Sequence, residues 1–224
     1  VALGVDNLRE ERQEKALESE YLQRLEQDFL QADGDMSLGR SRLEGARRRG
    51  LQILPFIEYG DPAPTDTTTF IAWTYAASRS LWPNFEARYS SSAYRELVAS
   101  GRFGLIRSTP IRGLLASDQQ MLSAQTTGLL PRAYRDFVRG RLPVELQERI
   151  RAECPVDEDY DRCDVELGRF RPGPFLRDLE GNRQIASALN LSLQQLSVVL
   201  IDLDYITERR DSLLVLLRRE IGGD

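Results

Sequence analysis

The fold is decided by residues 22–53, which read LQRLEQDFLQADGDMSLGRSRLEGARRRGLQI. Apolar and small residues recur through this stretch in alternating steps of three and four. They are Leu22, Leu25, Phe29, Ala32, Met36, Gly39, Leu43, Ala46, Gly50 and Ile53. Such steps average about 3.5 residues, the period of the apolar seam in helices that pack side by side. The stretch therefore predicts a long helix with one buried face.

The C-terminal region carries a second seam with the same spacing. Its members are Ile185, Leu189, Ser192, Leu196, Val199, Leu203, Ile206, Arg210, Leu213 and Leu217. Two long helices at opposite ends of a chain can bury such seams against each other. We expect an all-α fold, an antiparallel helical bundle with two long terminal helices and several short helices between them. Residues 1–224 are expected to form a single helical domain, with Leu25 and Phe29 near Leu213 and Leu217.

Helix caps and breakers divide the chain further. The long N-terminal helix is expected over residues 6–54, with Pro55 opening a connector. Short helices are predicted over 65–152, an irregular cysteine loop over 154–174 and the long C-terminal helix over 182–221. Gly39 and Gly50 fall on the N-terminal seam, where they either allow a neighbouring helix to approach closely or simply interrupt the helix.

Composition limits the classes of function. The chain has 224 residues, of which 41% are hydrophobic and 29% charged, as in an ordinary soluble fold. Its net charge of −5 argues against a nucleic-acid partner, which would need a basic face. Histidine is absent, so Ser-His and Cys-His nucleophile pairs and histidine metal ligands are excluded. We expect no enzyme activity, no catalytic residue and no cofactor, and carboxylate-based catalysis is the weakest alternative.

Cys154 and Cys163 are the only cysteines, and they close a short polar loop. This pattern favours a disulfide formed in an oxidising compartment, and the alternative is two free thiols in a cytosolic protein. The aspartates of the loop match the start of an EF-hand, but Arg162 and Gly168 stand where that motif needs glycine and glutamate. No metal site is therefore expected.

Aromatic residues concentrate in the middle of the chain. Those considered as a ligand pocket are Phe70, Trp73, Tyr75, Trp82 and Phe85. Pockets are commonly walled by aromatic side chains with a few polar groups. The alternative interpretation is that the same side chains form the core between short helices.

The first residues suggest a membrane anchor. Val1–Val5 is apolar, and the sequence turns highly charged from Asp6 to Arg12. This change is typical of a bilayer edge, so we expect Val1–Val5 to end a transmembrane helix that continues upstream. Mixed charge at that edge favours the outer face.

Three segments carry a resemblance to a known family. They are the opening VALGVDNLREER, the stretch Tyr21–Asp28 and the stretch Ala93–Leu97, followed by a long closing helix. The chain resembles an uncharacterised family of short bacterial single-pass membrane proteins. The resemblance implies an N-terminal transmembrane helix and an α-helical soluble domain, and it transfers no active site. It places the protein in the bacterial inner membrane, with its soluble domain in the periplasm.

Two functional hypotheses follow. The first is a membrane-anchored, non-enzymatic structural or protein-interaction module that presents a helical surface to a protein partner or to its own copy. The second is an extracytoplasmic ligand-sensing helical bundle with an aromatic-lined pocket. An apolar stripe left exposed on the bundle would favour the first. A deep aromatic cavity with convergent arginines would favour the second.

Overall fold

Helices form all the regular secondary structure in the described part of the chain. The structure is a computed structural model that describes residues 2–78, 89–126, 132–154 and 162–222, with the side chains of residues 9–78, 89–124, 132–154 and 162–222. The elements in chain order are α1 (Ala2–Tyr59), α2 (Thr67–Ser78), α3 (Ser92–Ala99), a 3-10 turn (Phe103–Leu105), α4 (Thr109–Thr126), α5 (Ala133–Arg141), α6 (Val144–Glu153), α7 (Pro172–Leu179) and α8 (Arg183–Gly222). The predicted all-α bundle with two long terminal helices is confirmed.

The helices group into two compact units. Unit 1 comprises Val1–Ser37, Pro83–Gly128 and Leu203–Asp224, and unit 2 comprises Leu38–Trp82 and Leu129–Asp202. Both long helices contribute residues to both units. The division therefore does not test the expectation of a single domain.

The core of unit 1 joins the two seams. Leu25 and Phe29 of α1 belong to the same buried cluster as Leu213 and Leu217 of α8, together with side chains of α3 and α4. Burying a leucine side chain contributes about 1.5–3 kcal/mol to folding. The predicted packing of the early residues against the late ones is confirmed.

Gly50 shows why a seam position lacks a side chain in unit 2. A Cβ atom placed on this buried residue would lie 2.6 Å from Cδ2 of Leu193 in α8 and 3.5 Å from Cβ of Ala77 in α2. Leu193 is itself buried. Gly50 therefore lets two neighbouring helices approach α1 closely, which is the first of the two interpretations for this glycine.

The predicted end of the N-terminal helix at residue 54 is wrong, because α1 continues through Pro55 to Tyr59. Proline lacks an N–H, so only the carbonyl of Leu51 loses its helical partner, and Leu51 is exposed to water. Phe56 and Ile57 are buried, which favours one more turn. Gly60, at φ 75°, ends the helix and donates its N–H to the Phe56 carbonyl at 3.0 Å.

The start of α3 is capped from two directions within unit 1. The Ser91 hydroxyl accepts the N–H of Tyr94 at 3.1 Å. Asp28 of α1 accepts the Ala93 N–H at 2.9 Å and the hydroxyls of Ser91 and Ser92 at 2.8 and 2.9 Å. Burial alone would raise the pKa of Asp28, but these hydrogen bonds outweigh it and lower the pKa below its ordinary value. The carboxylate thus stabilises the helix N-terminus.

Candidate functional site

A second face of α8 is apolar and exposed. In unit 2, Leu191, Val198 and Ile201 are 48%, 57% and 66% exposed. With the exposed Gln194 they follow the steps three, four and three. We call Leu191, Gln194, Val198 and Ile201 the α8 stripe. An exposed apolar stripe of this kind favours the first functional hypothesis.

The core of unit 2 is built from a different face of the same helix. Leu189, Leu193 and Leu196 are buried there. Because successive residues of an α-helix turn by about 100°, these leucines and the α8 stripe lie on opposite sides of the helix. The stripe is therefore free of the packing that holds α8 in its own unit.

The presence of apolar residues on two faces of α8 also bears on whether this helix spans a membrane. Among the described helices, α8 alone is long and apolar enough to cross a bilayer. A helix with a core face and an interaction face meets the same criteria of length and composition. This finding is therefore weak evidence for a membrane span.

A buried ion pair lies in unit 1. Arg210, on the predicted seam of α8, is 0% exposed and Asp118 of α4 is 6% exposed. The guanidinium donates to the two Asp118 oxygens at 2.7 and 3.0 Å and to the Tyr89 carbonyl at 2.7 Å. Its carbon lies 5.1 Å from the centre of the Phe29 ring. The periodicity identified Arg210 as a seam residue, but the sequence contained no signal for its partner.

Asp33 lies near this pair. Burial raises the pKa of its carboxyl, the charge of Arg210 opposes that effect, and the charges of Asp118 and Asp211 add to it. Its Oδ1 atom is buried and accepts no hydrogen bond within the described residues. A half-buried carboxylate with one oxygen that accepts no hydrogen bond costs stability in its charged form.

Cys154 and Cys163 form a disulfide, with their Cα atoms 5.8 Å apart. Cys154 ends α6, and the N–H of Cys163 donates to Oγ1 of Thr69 in α2 at 2.9 Å. The bond suggests an oxidising compartment. Residues 155–161, with the aspartates of the EF-hand comparison, lie outside the described residues. In the described part of the chain no three potential metal-ligating side chains come together.

The structure places three of the five candidate pocket residues. Phe70, Trp73 and Tyr75 of α2 are buried in unit 2. The Phe70 ring packs edge-on against Phe56 with 4.7 Å between ring centres. The Tyr75 hydroxyl accepts a hydrogen bond from Arg151 at 3.1 Å. Trp82 and Phe85 lie outside the described residues, so the aromatic pocket stays a prediction.

Comparison with known proteins adds no further assignment. The resemblance to bacterial single-pass membrane proteins stays a prediction, because no family model, curated protein or solved structure matches this chain.

Proposed function

We propose that this protein is a non-enzymatic interaction module that presents the α8 stripe to a helix of another protein molecule. The observation that carries the proposal is the exposure of Leu191, Val198 and Ile201 on a helix already anchored through its opposite face. Large apolar side chains exposed along one face of a helix mark interaction sites.

The spacing of the stripe favours a helical partner. Steps of three and four residues keep side chains in line with a second helix that packs alongside. The stripe spans eleven residues of α8, and its first and last Cα atoms lie about 15 Å apart along the helix. Gln194 supplies a polar group in the row, the kind of residue that fixes the register between paired helices. A second copy of this chain is the simplest partner, since the same row on two copies is self-complementary.

The setting of the module is also part of the proposal. The disulfide supports an extracytoplasmic location, since such bonds persist in oxidising compartments. The tether upstream of Val1 and the periplasmic side of the inner membrane rest on the sequence pattern of residues 1–12. Fractionation of cells that express the complete reading frame tests them, and recovery in the detergent-free soluble fraction would contradict the tether.

Sedimentation equilibrium of the full chain tests the stripe. The native protein should associate, and the double variant Val198→Asp, Ile201→Asp should be monomeric because two carboxylates would be buried in the interface. Val144→Asp is the matched control, since Val144 is an exposed valine of unit 2 outside the stripe. A native chain that stays monomeric at about 100 µM, well above a micromolar dissociation constant, contradicts self-association.

A crosslinking experiment tests partners other than a second copy of this chain. With the photo-crosslinking residue p-benzoylphenylalanine at position 201, irradiation of the native membrane fraction should trap a protein adduct, because its benzophenone group inserts into C–H bonds of proteins and lipids alike. Absence of any adduct, together with a monomeric native chain, would refute the interaction module. Crosslinking to lipid alone would instead assign the stripe to the membrane.

A further inference from the structure

Unit 2 contains a cleft that no sequence pattern indicated. Its volume is about 380 Å³, near the lower end of the range for small-molecule sites. It lies between α6 and the segment that leads into α7. Its lining residues are Pro143, Glu145, Leu146, Arg149, Leu167, Arg169, Phe170 and Arg171.

The apolar side of the cleft is fixed by local contacts. Leu146 is buried, and Phe170 is partly buried. The Phe170 ring lies edge-on to Phe175 of α7, with ring centres 6.0 Å apart. The N–H of Phe170 donates to the Leu167 carbonyl at 3.1 Å, which holds the intervening turn. These contacts hold Phe170 in place and give the cleft an apolar side.

The charged side of the cleft has three arginines and one glutamate. The side chain of Arg149 lies against Gly168. A Cβ placed on Gly168 would lie 2.8 Å from Nη2 of Arg149, and the φ of 59° at this position favours glycine. Nη1 of Arg149 lies 3.8 Å from Oε2 of Glu166, whose side chain is 86% exposed. Among the described residues, Arg169 and Arg171 form no ion pair. The arginines therefore outnumber the acids available to them in the described part.

The two walls of the cleft, which are α6 and the segment that leads into α7, are covalently connected. Cys154 directly follows α6. Its disulfide partner Cys163 lies a few residues before Leu167, the first cleft residue of the other wall. Thr69 of α2 additionally holds the backbone of Cys163. A site whose walls are fixed before binding loses less conformational entropy when a ligand enters.

We propose that this cleft binds a small amphipathic organic anion, with its carboxylate or similar acid group on Arg169 and Arg171 and its apolar body against the partly buried Phe170 and Leu167. Guanidinium groups bind planar acid groups through paired, charge-assisted hydrogen bonds. A purely apolar ligand would leave the arginines unused, and an inorganic anion would leave the apolar surface unused. The site is separate from the α8 stripe and does not depend on the proposed function.

Isothermal titration of the full chain tests the site with two probes, 2-naphthoate and the uncharged 2-naphthalenemethanol. The carboxylate should bind, and the alcohol should bind at least about tenfold more weakly, because it makes no charge-assisted hydrogen bond. The double variant Arg169→Gln, Arg171→Gln should reduce naphthoate affinity by about tenfold or more. Arg183→Gln is the matched control, since Arg183 is an exposed arginine of unit 2 outside the cleft. It should leave the affinity unchanged.

Several results would overturn the proposal. These are no heat with 2-naphthoate, equal affinity for the two probes, or native affinity in the double variant with an unchanged circular dichroism spectrum. Equal binding of inorganic phosphate would show that the apolar surface plays no part. Binding of phosphatidylglycerol vesicles without binding of naphthoate would show that the arginines serve a lipid surface. Loss of binding in Phe170→Ala, with the fold retained, would support the proposal.

Discussion

Arg210→Met removes the buried guanidinium of unit 1 and keeps an unbranched apolar side chain. The substitution deletes two hydrogen bonds to Asp118, at 2.7 and 3.0 Å, and one to the Tyr89 carbonyl at 2.7 Å. The Asp118 carboxylate, whose side chain is 7% exposed, then has no cation beside it. Leaving one member of a buried pair uncompensated costs about 3–5 kcal/mol. Such a loss is a large part of the stability of a typical domain.

Urea unfolding at pH 7, followed by far-ultraviolet circular dichroism, measures this loss as a lower midpoint at an unchanged slope. Arg218→Met is the matched control. Arg218 pairs with Glu26 at 2.8 Å, with side chains 56% and 24% exposed, and such surface pairs contribute about 0–1 kcal/mol. If Arg210→Met destabilises the protein no more than Arg218→Met, the argument from burial is wrong.

A double variant separates the charge from the packing. Arg210→Met with Asp118→Leu replaces the whole ion pair by apolar side chains, which is often neutral or stabilising. Most of the stability lost in the single variant should return. If the double variant is as unstable as the single one, packing around Arg210 accounts for the loss, and the unpaired carboxylate does not.

Three further predictions concern other parts of the fold. Leu217→Ala should lower the free energy of unfolding by about 2–5 kcal/mol, whereas Val215→Ala, at an exposed position of α8, should have little effect in the same urea assay. Asp28→Asn should destabilise the protein by about 0.3–1 kcal/mol at pH 7, because it removes the negative charge beside the N-terminus of α3. Because the pKa of Asp28 is lowered in the folded protein, the ionised carboxylate stabilises the fold at pH values above its ordinary pKa. This stabilisation is lost as pH falls through the pKa of the folded protein, so the urea midpoints of the native protein and of Asp28→Asn should converge in acid. Thiol titration of the denatured, unreduced protein should find no free thiol at Cys154 or Cys163, and a free thiol in fresh material would contradict the disulfide.

The helical architecture was predictable because the burial of helix faces leaves a period in the sequence. Leu25 and Leu217 show this, since each was identified by spacing alone and each is fully buried in the same cluster. The end of α1 was not predictable by the same route. Pro55 breaks helices in general, and the burial of Phe56 and Ile57, which favours another turn, is visible only in the folded protein.

The candidate sites depend on information that a local pattern does not carry. Arg210 and Asp118 are separated by 92 positions, and nothing in their spacing connects them. Val198 and Ile201 are visibly apolar, but the sequence does not show which apolar face of α8 the rest of the chain covers. Arg149 resembles any solvated arginine until the fold brings it to the same cleft as Arg169.

The contact between Gly50 and Leu193 has a consequence for sequence variation. Because a Cβ at position 50 would lie 2.6 Å from Leu193, the sizes of these two side chains are coupled. A larger residue at position 50 requires the Leu193 side chain to shift or a smaller residue to replace it, as in the pair Gly50→Ala with Leu193→Ala. We therefore expect the two positions to covary in any set of diverged sequences with this fold. That covariation would fix the register of α1 against α8 in such relatives from their sequences alone.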